Sequence, residues 1–103
     1  MGLTEMNYEA IGRCKVLGES IKRLDIERNK YINELRAEVS RLTKGNSNAT
    51  PPEIVLFDIN LINTLAERIA IADSELMSVV TEFNNWCQDA GEKPVILKEP
   101  FRT

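Results

Sequence analysis

The chain has 103 residues, 43% of them hydrophobic and 28% charged, with a formal net charge of -3 and no histidine. That length holds one domain. The acidic balance argues against a dedicated nucleic-acid binder, and the missing imidazole removes histidine-dependent triads and histidine-rich zinc sites.

Residues Met1 to Ala10 carry Glu5 and Glu9 and lack the basic region, apolar run and cleavage site of a secretory signal, so a cytoplasmic location is expected. A first helix is predicted from about residue 4 to 44. Its stripe runs Ala10, Cys14, Leu17, Ile21, Leu24, Arg28, Ile32, Leu35, Val39 and Leu42. Steps of three and four alternate except for one four-residue stutter around Arg28, a heptad pattern of the coiled-coil kind. Gly12 and Gly18 each weaken a helix interior by about 1 kcal/mol relative to Ala, so a separate short helix before Gly18 is the main alternative.

The bend is expected at 45–50. Gly45 after Lys44 reads as a left-handed C-cap, and Thr50, Pro51 and Glu53 read as an N-cap, a first-turn proline and a capping-box partner. A second helix is then predicted from about 51 to 90, with Gly91 as its C-cap. Its seam runs Ile54, Phe57, Leu61, Leu65, Ile69, Ala72, Leu76, Val79, Phe83, Trp86 and Ala90, with a stutter near Leu61 to Ile69. Asp58, Asn60, Asn63, Glu67 and Arg68 interrupt the most apolar stretch, which excludes it as a membrane span.

Residues 1–45 hold nine bases against seven acids, while between Glu53 and Ala90 Arg68 alone opposes seven acids. Pairing the two arms joins opposite signs and supports an antiparallel hairpin. Val55, Leu56, Ile59, Ile62 and Ile71 lie outside the seam, and one neighbouring helix cannot cover them. They are the expected oligomer or partner interface, and the simplest closure is a homodimer of hairpins forming a four-helix bundle.

Beyond Gly91 the prolines end the helix and frame Val95, Ile96 and Leu97, followed by Phe101. An extended tail over 92–103 is expected, folded onto its own bundle or its dimer mate, with a docking role for another protein as the alternative. The chain is thus read as all-α: a long antiparallel, coiled-coil-like helical hairpin over 1–91 and a short extended C-terminal tail.

No residue pattern marks a reaction, a cofactor or a metal. Glu34 and Glu38 share a helical face, but Lys30 and Arg41 beside them suggest a solvated, charge-laced exterior. Cys14 and Cys87 are too few for a disulfide framework and lack metal-type spacing, so they read as packing thiols. Lys15, Lys22, Arg23, Lys30, Arg36 and Arg41 are interleaved with acids, which blunts any phosphate-tracking stripe.

The expected function is therefore non-enzymatic: a helical-hairpin oligomer that binds, inhibits or scaffolds another protein. By fold-level analogy such chains serve as phage or mobile-element accessory factors or bacterial adaptors. A DNA-associated regulator built on a dimeric bundle is the alternative, and an all-α metal-dependent hydrolase the third reading. The size and hairpin resemble secreted bacterial helical-hairpin proteins, but the Trp-x-Gly of their bend is missing from Gly45 to Glu53, so no specific family is identified.

Overall fold

The computed structural model describes residues 7–98 and Pro100. Within them the chain is all-helical and has no strand: α1 (Tyr8–Arg41), a single 3-10 turn (Leu42–Lys44) and α2 (Ile59–Cys87). The two long helices pack against each other as a hairpin. α1 runs unbroken through Gly12 and Gly18, so the alternative of a separate short helix before Gly18 is not realised. No helix among the described residues is long and apolar enough to cross a membrane.

α1 starts where Asn7 caps it. The Asn7 Oδ1 accepts the Ala10 N–H at 3.0 Å, and its carbonyl accepts the Ile11 N–H at 3.0 Å. The expected start near residue 4 lies outside the described residues.

α1 buries Ala10, Cys14, Leu24 and Glu38 and half-buries Ile11, Leu17, Gly18, Ser20, Ile21, Arg28, Tyr31, Ile32 and Leu35. Ile32 lies inward as expected and shares its turn of the seam with Tyr31, but one turn later the seam passes through Glu38, and the expected Val39 is 49% exposed.

α2 begins at Ile59 and not near 51. The cap is Asp58, whose Oδ1 accepts the Leu61 N–H at 3.1 Å and whose carbonyl accepts the Ile62 N–H at 3.1 Å. Residues 52–58 are in neither helix nor strand, and Ile54, Val55 and Phe57 are β-branched or aromatic types that disfavour helix. The expected cap at Thr50 and the capping box with Glu53 do not form. Instead the Glu53 N–H donates to the Asn46 carbonyl at 2.8 Å, and the Asn46 Oδ1 accepts the Asn48 N–H at 3.0 Å, closing the loop on itself.

Gly45 is extended, with φ -72° and ψ 163°, so it is not a left-handed cap. Its role is steric: a Cβ there would sit 2.7 Å from the Glu53 carbonyl oxygen. Gly91 does adopt a left-handed φ of 75°. The Glu92 N–H donates to the Cys87 carbonyl at 2.8 Å and the Gly91 N–H to the Gln88 carbonyl at 3.1 Å, a Schellman closure of α2.

The chain forms two compact units, one from 1–25 with 74–103 and the other from Ile26–Asp73. The first buries Ala10, Cys14, Leu24, Val80, Phe83 and Cys87; Val80, beside the expected seam residue Val79, is only 1% exposed. Leu17, Ile21, Trp86, Ala90 and Val95 pack around Cys14, Phe83 and Cys87. The Arg13 guanidinium lies 4.9 Å from the centre of the Trp86 ring and 3.4 Å from Glu9.

The second unit buries only two apolar side chains, Leu65 and Ala72, together with Glu38. Ile62, not Leu61, begins the α2 seam, and the four-four step falls at Ala72–Leu76–Val80 and not near Leu61 to Ile69. Arg28 and Asp73 form an ion pair between the helices in this unit.

Candidate interaction surfaces

The second unit is organised around one buried carboxylate. Arg41 grips Glu38 through two hydrogen bonds, Nε to Oε1 at 3.1 Å and an Nη2 to Oε2 at 2.6 Å, and also donates to the Leu56 carbonyl at 3.0 Å. The Arg41 hydrogen bonds hold the Glu38 carboxyl below the usual carboxylate range in spite of its burial. Through Arg41 the end of α1 is tied to the segment that leads into α2.

That clamp corrects the expectation that Glu34 and Glu38 share a solvated exterior. Glu34 is exposed, but Glu38 is 8% exposed and both its oxygens are already occupied by Arg41. No group of three His, Cys, Asp or Glu side chains suited to a metal is found among the described residues.

The same tether sets out an apolar surface. Arg41 holds Leu56 by its carbonyl, and the Leu56 side chain faces outward. Ile54 and Leu56 are each 78% exposed while Val55 between them is half-buried. Phe57, Ile59 and Leu61 continue the exposed run, with Ile71 farther along α2. Of the five residues expected outside the seam, Leu56, Ile59 and Ile71 are exposed, and Val55 and Ile62 turn partly inward. Ile54 and Phe57, expected in the seam, join the surface because the helix that would have turned them inward starts at Ile59, and Leu61 joins it because the α2 seam runs through Ile62 instead.

The tail forms a second candidate. Val95 is half-buried against the Cys14, Phe83 and Cys87 cluster. The Asn84 side chain grips both of its main-chain groups: Nδ2 donates to the Val95 carbonyl at 2.9 Å, and Oδ1 accepts the Val95 N–H at 2.9 Å. Ile96 and Leu97 point to solvent. Phe101 lies outside the described residues.

Both cysteines are free and buried. Burial first, then the neighbouring Cys87 and Glu92, push the Cys14 thiol above its ordinary value, so it is a packing group and a poor nucleophile. Neither Asn84 nor the Glu38–Arg41 clamp was singled out by the sequence reading. Counting the heptad by position would have placed Glu38 inside; no local signal marks Asn84. No protein-family model, curated protein or solved structure matches this chain.

Proposed function

We propose that this protein is a non-enzymatic interaction module that self-associates through the bend-side apolar surface and presents the resulting assembly to another protein. One observation carries the reading. The unit spanning Ile26–Asp73 buries Leu65 and Ala72 alone among its apolar residues, yet exposes Ile26, Val39, Ile54, Leu56, Phe57, Ile59, Leu61 and Ile71. An apolar surface of this kind beside so thin a core is the signature of an interface. A second copy is the simplest cover, since a two-fold contact lets the same patch satisfy itself.

Light scattering at micromolar concentration is expected to give about twice the 11.7 kDa chain mass or more. Ile59→Asp, on the exposed first turn of α2, should return the particle to chain mass with its helicity retained. A wild-type monomer at that concentration would overturn the self-association.

A further inference from the structure

Cys14 and Cys87 meet across the two helices at the open end of the hairpin, away from the bend. A Cβ on Gly18 would stand 3.8 Å from the Phe83 ring, so these two positions face each other. The helices run in opposite directions, and one turn toward the open end leads from Gly18 to Cys14 and from Phe83 to Cys87. Both thiols are buried, at 4% and 3% exposure, in one cluster with Phe83. A disulfide needs its two Cα atoms within about 7 Å. Helices packed with axes about 8–10 Å apart, each carrying its Cα atoms about 2.3 Å off the axis, meet that limit at facing positions. Cys14 also lines a surface groove with Gly18, Phe83, Lys15, Lys22 and Glu92, which gives a small polar reagent a way in.

We infer that Cys14 and Cys87 are a redox pair, which closes to an intrachain disulfide in the presence of a small-molecule disulfide and reopens in excess thiol. The Cys14 thiolate attacks one sulfur of the reagent RSSR, forming a mixed disulfide and releasing RS⁻. The Cys87 thiolate then attacks the Cys14 sulfur, closing the protein bond and releasing the second RS⁻. The two protons given up by the cysteines convert both RS⁻ to RSH, so the protein loses two electrons and the reagent gains them. Burial first, then Cys87 and Glu92, raise the Cys14 thiol, so the first attack is slow at neutral pH and brief exposure leaves the pair reduced. The second attack needs no encounter, because both sulfurs lie in one cluster. The bridge ties the start of α1 to the end of α2 and locks the open end.

Peptide mass mapping tests the pairing on the full-length wild-type chain, incubated with oxidised glutathione at mildly alkaline pH, then alkylated and digested without reductant. The Cys14 and Cys87 peptides should be recovered linked, from a species that runs as a single chain on a non-reducing gel, and dithiothreitol should separate them. Cysteines recovered alkylated, a lasting glutathione adduct, or bridges between chains alone would overturn the pair. The thermal midpoint of the oxidised chain should exceed that of the reduced chain by several degrees, because the bridge restricts the unfolded state. Equal midpoints would overturn the lock.

In Cys87→Ala the glutathione adduct on Cys14 should accumulate at least tenfold above its wild-type level, since no second thiol displaces it. An equal level would overturn the role of Cys87. Should that variant not fold, the wild-type map decides alone. Ile59→Asp, which alters the bend surface, should form the bridge as fast as wild type, and loss of bridging there would overturn an intrachain pair. Failure at these cysteines leaves the reading of the bend intact.

Discussion

Glu38 shows how a single side chain, through its partner, couples two pieces of backbone. It sits on α1 and is held by Arg41 a turn later, whose guanidinium also donates to the Leu56 carbonyl ahead of α2. Removing the charge while keeping the shape, as in Glu38→Gln, should lower the urea midpoint at pH 7. The sign of the pH dependence follows from the depressed folded value. An unfolded glutamate binds its proton near pH 4.3, before the folded one does. The stabilisation is therefore complete above about pH 4.3, declines as pH falls below it, and vanishes under the lower folded value. Urea midpoints of wild type and Glu38→Gln measured from pH 3 to 7 should converge in acid; a gap independent of pH would show that the carboxylate's charge contributes nothing.

At the scale of elements, the sequence told more about helix identity than about helix ends. Gly91 was legible because a glycine after a long apolar period has one common use, and the Schellman bonds at Cys87 and Gln88 realise it. Thr50-Pro51-Pro52-Glu53 offered equally good local chemistry for a helix start, yet Asp58 caps α2. The deciding interactions were non-local: Arg41 draws the Leu56 carbonyl, and the Asn46 carbonyl takes the Glu53 N–H, out of any helical ladder. Asp58→Ala should cost about 1 kcal/mol of stability in chemical denaturation, whereas Thr50→Ala should be nearly neutral. Seam assignment can be checked in the same way. Leu65→Ala should cost about 2–5 kcal/mol, and the half-buried Leu76→Ala clearly less. Equal losses would mean that Leu76 is packed as closely as Leu65.

For the whole molecule, the two units differ in what they leave uncovered. The unit containing the start of α1 at Tyr8 and the end of α2 at Cys87 buries six apolar residues and draws its own tail over Cys14, Phe83 and Cys87, while the bend unit has no comparable cover for Ile54 to Leu61. The sequence anticipated excess apolar surface on this arm but assigned part of it to the seam, since periodicity alone cannot report where a helix starts. If a second copy supplies the missing cover, folding and association are linked, and mass action stabilises the native state as concentration rises. The thermal midpoint should then climb with protein concentration across the micromolar range in calorimetry. Leu56→Asp should flatten that dependence while leaving the α-helical circular dichroism unchanged, because Leu56 is outside both helices and its tether to Arg41 uses the backbone carbonyl. A wild-type midpoint that ignores concentration would mean that the bend surface folds without a second copy, and its partner would have to be sought elsewhere.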